Sequence, residues 1–134
     1  MVFIDTNIAI SLWVENEWTD SARRLLERDP DWCTESFALI EFANVMATYV
    51  RVGLTSEREA LARFDEAEAL LSPGLTIVTH RHALSVAMTY KESVYDARFL
   101  VAAQELGVKL VTEDAALRRA APELTQSLNE ALAA

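Results

Sequence analysis

Residues 94–114, VYDARFLVAAQELGVKLVTED, set a helix, a helix stop, a strand and a pair of acids in succession. Gly107 closes the helix, as glycine commonly does at a helix C-terminus. Residues 108–112, VKLVT, read as a strand, and Glu113 and Asp114 stand at its carboxyl end. The chain opens the same way: Val2, Phe3 and Ile4 read as a short buried strand that stops at Asp5 rather than at a glycine. A carboxylate in that place either caps the next helix or takes part in chemistry.

Outward from these two strands the pattern alternates. Ile8, Ala9, Leu12 and Trp13 mark one helix and residues 17–28 a second, with Ala22, Leu25 and Leu26 on one face. DPDW (29–32) breaks it, and WCT (32–34) is a brief strand. SFALIEFANVMATYVRVG (36–53) reads as a long, mostly apolar helix ended by Gly53. Residues 56–71 form another, its alternating charges marking a solvated face. Pro73-Gly74 turns the chain into LTIVT (75–79), a strand, and HRHALSVAMTY (80–90) is again helical. EDAALRRA (113–120) opens a helix after the last strand, and the tail from Pro122 reads as helical. Strands separated by helices pair in parallel through βα crossovers, so the fold class is α/β: a small parallel β-sheet flanked by helices on both faces. Ligands of such sheets gather at the carboxyl ends of the strands, where Asp5 and Asp114 stand.

Residues 1–134 suit a single domain, since 51% hydrophobic content supplies a core without staples. The single Cys33 forms no intramolecular disulfide and suits a reducing compartment. No basic leader precedes an apolar run, and no run approaches the ~20 residues of a membrane span, so the expectation is a cytoplasmic protein with no membrane contact. The net charge of -9 weighs against binding to nucleic acid, which Lys and Arg carry. A cation site built of four carboxylates accounts for part of it: -9 less those four is -5.

Taken singly, three acids have ordinary explanations. Asp5 and Asp114 each follow a strand and precede a helix, where Asp is a preferred cap. Ser93-x-x-Asp96 resembles a capping box. Glu41 is different: it is the only charged residue between Ser36 and Val50, with Phe37, Ile40, Phe42, Val45 and Met46 around it. Its helix is apolar nearly all round and is expected to be largely buried. A buried carboxylate must be paired, protonated or bound to a cation. Arg51 lies almost three turns away, too far to pair, and Asn44 is a nearer candidate to bond it. A basic partner from elsewhere in the chain is the plain alternative.

Three segments combine these acids: VFIDTN (2–7), ALIEFANVMA (38–47) and VYDARFLVAAQELGVKLVTED (94–114). In this order and at these spacings they resemble PIN-domain nucleases, and more narrowly toxins of the VapC type, over essentially the whole chain. The resemblance implies that Asp5, Glu41, Asp96 and Asp114 are the family's four acidic positions, which hold Mg²⁺ or Mn²⁺. Thr6 and Asn7 complete the first motif, Tyr95-Asp96-Ala97 matches the third, and Thr112 matches the hydroxyl residue beside the last acid. TED (112–114) offers two acids; family spacing favours Asp114, with Glu113 pointing away or assisting. The implied fold is a small parallel sheet with helices on both sides, often paired into a homodimer. The implied activity is that of an endoribonuclease, the toxin of a toxin–antitoxin pair. Its RNA substrate would be a structured loop of tRNA or rRNA, and its cognate antitoxin protein would lie over or near the acids.

The chemistry of the residues agrees. Hard divalent cations prefer carboxylate oxygens, and a cluster poor in His points to Mg²⁺ or Mn²⁺ and away from zinc. Such ions activate water and stabilise the departing oxygen of a phosphodiester. Four carboxylates without metal repel one another, so activity is expected to depend strongly on metal. Arg98, one helical step from Asp96, is the expected phosphate contact. Arg23, Arg24 and Arg28 read as a solvated helix face. His80 and His82, two apart, do not share a helical face. Trp13, Trp18 and Trp32 are able to stack on bases, but packing is the plainer role. There is no Gly-rich phosphate loop, GxSxG or Cys-His pair. Two other functions compete. An aspartyl-phosphate hydrolase needs a second Asp two residues after the first, where this chain has Asn7. A degenerate PIN-like or receiver-like module would bind a partner without catalysis, and titration with Mn²⁺ separates it from a nuclease.

Overall fold

Strand residues point alternately to the two sides of a sheet, and here both sides are apolar. In the computed structural model, which describes residues 1–134, the chain runs β1 (Val2–Ile4), α1 (Thr6–Trp13), α2 (Thr19–Arg28), β2 (Trp32–Glu35), α3 (Phe37–Arg51), α4 (Glu57–Leu71), a 3₁₀ turn, β3 (Leu75–Thr76), α5 (His80–Tyr90), α6 (Val94–Leu106), β4 (Leu110–Val111), α7 (Ala115–Ala120), β5 (Thr125–Gln126) and α8 (Leu128–Ala133). Phe3, Cys33 and Leu110 face one core, shared with Ala83 and Val86 of α5 and Phe99 to Ala103 of α6. Ile4, Trp32 and Val111 face the other, shared with Ile8 of α1, Leu25 of α2 and Leu128 of α8. A third cluster, Phe42, Met46, Ala60 and Ala67, joins α3 to α4. No helix is long and apolar enough to cross a membrane.

The five strands lie in the order β3-β2-β1-β4-β5, and every pairing is parallel. The expected α/β class, with helices on both faces, is what the molecule has. β1 is central, and the chain builds outward from it first on the β2 side and then on the β4 side. The reversal leaves a crevice at the carboxyl ends of β1 and β4, the usual place for a ligand in such a sheet.

Three local expectations need correction. LTIVT pairs only over Leu75 and Thr76, because β3 is an edge strand and the chain leaves it at the exposed Ile77. Thr79 then caps α5 by accepting the His82 N–H at 3.2 Å. The tail is not wholly helical: Thr125 and Gln126 add a strand beside Leu110 and Val111. A capping box, Ser127 with Glu130, starts α8 only after that strand. α3 is not buried all round, since Ile40 is 61% exposed and Ala43, Asn44 and Ala47 also face outward.

The 3₁₀ turn that feeds β3 depends on a missing side chain. A Cβ at Gly74 would meet the Trp32 carbonyl oxygen and lie 2.9 Å from Cys33 Cα, both backbone atoms of β2. Backbone cannot rotate aside as a side chain does. Gly74→Ala is therefore expected to lower stability by roughly 2–3 kcal/mol through overpacking at the β2–β3 pairing. Urea unfolding at neutral pH measures it, and a change within about 0.5 kcal/mol would show that the turn shifts freely.

Candidate active site

Asp5 follows β1 directly, and its N–H donates to the Val111 carbonyl at 2.9 Å, extending the β1–β4 ladder by one residue. The side chain is 7% exposed. Its Oδ1 accepts the Thr6 N–H at 2.7 Å, so the capping contact is present. Its Oδ2 accepts the Thr112 hydroxyl at 2.7 Å and the Asn7 side-chain amide at 3.3 Å. One carboxylate thus serves the helix and the sheet at once. Burial, helped by the charges of Glu41 and Asp96, raises its pKa from 3.8 to about 7, against the pull of the bonds from Thr112 and Thr6.

Thr112 sits at the end of β4 and is a hub. While donating to Asp5, its hydroxyl accepts the Asn7 amide at 3.2 Å and the Asp114 N–H at 3.1 Å. Asn7 Oδ1 accepts the Glu113 N–H at 3.3 Å, closing the link between the first and last motifs. Asp114 caps α7 by accepting the Leu117 N–H at 3.1 Å through Oδ1.

The other two acids come from helices. Glu41, half-buried on α3, accepts the Thr6 hydroxyl at 2.6 Å. Thr6, and neither Asn44 nor a basic residue, is its partner. Burial and then the charges of Asp96 and Glu35 push its carboxyl up, opposed by the Thr6 bond. Asp96, half-buried in the first turn of α6, has its N–H capped by the Ser93 hydroxyl at 3.0 Å. Burial and the charge of Asp114 raise its carboxyl as well. Glu92 feels the same neighbours: burial first, then Asp96 and Asp114, hold its carboxyl up. It escaped the sequence reading because it lies in a polar turn without a motif of its own.

The four expected acids are linked through neighbouring charges: Glu41 and Asp96 act on Asp5, Asp96 acts on Glu41, and Asp114 acts on Asp96. None has a Lys or Arg within ion-pair distance; the molecule's ion pairs all lie elsewhere. Glu113 points away: its Oε1 accepts the Leu128 N–H at 2.8 Å and its Oε2 meets Arg118 at 3.3 Å. Arg98 requires a correction. Its guanidinium is bound to Glu35, with Nε donating to Oε2 at 3.0 Å and Nη2 to Oε1 at 2.7 Å, so those donors are not directed at a phosphate. Glu35 is 0% exposed and extends β2 one residue beyond the expected strand, WCT. A signal did exist: an arginine inside the apolar stretch of α6 needs an acid, and Glu35 stands at a strand end.

No three of the carboxylates are grouped tightly enough, as they stand, to enclose a cation. Their chemistry still fits a hard divalent ion. The donors are all oxygen, neither His nor Cys is among them, and Mg²⁺ is commonly held by one or two carboxylates with waters completing the shell.

A family model described as PIN domain matches residues 2–122. The chain belongs to the PIN domain family. Among PIN relatives, Ribonuclease VapC3 of Pyrobaculum aerophilum is 29% identical over 125 residues, spanning 90% of this chain and 95% of the relative. The crystal structure of PAE2754 from Pyrobaculum aerophilum superposes with a TM-score of 0.77 at 16% identity, covering 99% of this chain and 90% of that one. A toxin-antitoxin complex from Klebsiella pneumoniae gives 0.65 at 19% identity, covering 94% and 97%. VapBC2 from Rickettsia felis, bound to a DNA fragment from its promoter, gives 0.66 at 16% identity, covering 95% and 98%. These structures share the PIN fold with this chain, and the resemblance of the three segments holds at the level of the family.

Proposed function

We propose that the protein is a ribonuclease toxin of the VapC type, hydrolysing RNA phosphodiester bonds with Mg²⁺ or Mn²⁺ held by Asp5, Glu41, Asp96 and Asp114. The observation that carries this reading is the convergence of four carboxylates from four separate chain segments, with no basic residue to neutralise them. A bound divalent ion supplies activated water and positive charge opposite a phosphate. The chain's own part is to hold the acids ready. Thr112 and Asn7 orient Asp5, Thr6 orients Glu41, and the α6 and α7 caps set Asp96 and Asp114. A divalent ion offsets two of the negative charges and so lessens the repulsion that a chain of net charge -9 presents to RNA, with tRNA or rRNA the proposed substrate.

The relative named Ribonuclease VapC3 and the two complexes named above support a nuclease with an antitoxin partner. The antitoxin's proposed seat is the apolar groove between α3 and α4, lined by Met46, Val50, Leu61 and Phe64, on the same helix as Glu41. A second copy of the chain is the proposed occupant of exposed Leu84 and Met88 on α5. A second reading, a binding module without chemistry, rests on the open spacing of the acids.

Total cellular RNA incubated with the purified protein separates the two. Cleavage in millimolar Mn²⁺ and none in EDTA is the expected result. Intact RNA in the presence of metal would leave only the binding module. In a bacterial host, expression of the chain alone is expected to arrest growth, whereas the Asp96→Asn variant grows normally. Equal growth of wild type and variant would remove the toxin role.

A further inference from the structure

Glu41 and Asp96 belong to different helices and repel each other, and no bond in the site runs between them. Something must hold the first turns of α3 and α6 at a set separation. Glu35, the last residue of β2, binds both. Its Oε2 accepts the Phe37 N–H at 2.8 Å and its Oε1 the Ser36 hydroxyl at 2.9 Å, which ties it to the start of α3. The same two oxygens receive the Arg98 fork at 3.0 and 2.7 Å, two residues beyond Asp96 on α6. Phe37 lies 6.0 Å from the guanidinium and stacks on Tyr95, the neighbour of Asp96, with centroids 5.1 Å apart.

We propose that Glu35 and Arg98 are positioning residues whose bidentate pair fixes the spacing of Glu41 and Asp96 for the metal ion, a role that rests on the metal reading given above. The energetics favour positioning over stability. Glu35 is 0% exposed and the Arg98 side chain 12%, and removing two charges that far from water costs about what their attraction returns. Direction is what such a pair adds: two parallel bonds constrain angle as well as distance, which an apolar contact does not. Partners bonded directly to metal ligands cost about 10–100-fold in metal affinity when lost, and this pair acts one contact further out, through the helices that carry Glu41 and Asp96, so the lower end of that range is expected.

Two variants of the full chain test it, Arg98→Lys and the double Glu35→Gln/Arg98→Met. The first keeps the charge but loses the fork. The second removes both charges while an amide oxygen can still accept the Phe37 N–H. Mn²⁺ binding is read by calorimetry, and thermal midpoints are read in EDTA. The expected result is a double variant that melts in EDTA close to wild type, with both variants binding Mn²⁺ about 10-fold or more weakly. Affinity within about twofold of wild type in a folded variant would overturn the proposal. So would failure of both variants to fold, because the pair would then hold the fold together and set no spacing. If wild type itself binds no Mn²⁺, the metal reading and this proposal fall together. Binding by wild type with unchanged variants sinks the positioning role alone.

Discussion

Asp5→Asn is expected to lower RNA cleavage by roughly 10³-fold or more while making the metal-free protein more stable. The two effects have one cause. Asp5 is buried against Thr112 and Asn7 and shares its crevice with Glu41 and Asp96, so its negative charge is costly without a cation. An amide of the same shape still accepts the Thr6 N–H and caps α1 about as well as Asp, although its NH2 gives up the bonds that Oδ2 accepts from Thr112 and Asn7. It cannot neutralise a divalent ion. Metal-free melts near neutral pH are expected to show the variant's midpoint several degrees above wild type, about 1 kcal/mol per 2–4 °C at this size. Millimolar Mn²⁺ should raise the wild-type midpoint by mass action and do much less for the variant. Equal metal shifts in both proteins would exclude Asp5 as a ligand and leave it only a capping role. Full cleavage activity in the variant would sink the assignment of the site.

The second large effect is a pH dependence of metal-free stability that runs opposite to that of a salt-bridged carboxylate. The unfolded chain holds Asp5 near its ordinary value, whereas the native pKa is about 7. Between these, the native state keeps a proton that the unfolded state has released. Unfolding free energy therefore falls as pH rises across that window. The stabilisation is fully present below ~pH 4 and is lost as the pH rises through ~7. Glu41 and Asp96, raised by the same burial and repulsion, act in the same direction, whereas the lowered carboxyls of Asp29, Glu123 and Glu130 oppose it. The informative quantity is thus the difference between wild type and Asp5→Asn. Urea unfolding in EDTA at several pH values between ~4.5 and ~7.5 is expected to show wild type losing more stability than the variant. Parallel pH profiles would mean that Asp5 ionises normally in the folded protein. Saturating Mn²⁺ should flatten the wild-type profile, because ligation needs the ionised carboxylate.

Much of this was legible in residue order because its causes are local. The stop at Gly107, with its left-handed backbone, is a property of one residue. The caps Ser56, Ser93 and Asp114 bond amides three residues on, inside one turn. Alternating strands and helices sufficed for a parallel sheet, and a carboxylate at the end of β1 and another after β4 marked where a ligand would sit. Errors came where the tertiary setting overrules the local pattern. Thr125 and Gln126 make a strand only because Leu110 and Val111 offer an open edge. Ile40 faces outward although its helix is apolar, because α4 and α1 cover only the Phe42 and Met46 side of α3.

What the amino-acid sequence by itself determined is the inventory: a βα alternation, four acids in a family's order, and a hydroxyl and an amide beside them. It left the partners open, because hydrogen bonds between distant residues have no sequence period. Thr6 reaches Glu41 across 35 positions, Thr112 reaches Asp5 across 107, and Arg98 reaches Glu35 across 63. Only folding decided that Arg98 faces Glu35 and not the crevice. Burying a guanidinium demands a carboxylate within reach, and the β2–α6 packing put one there.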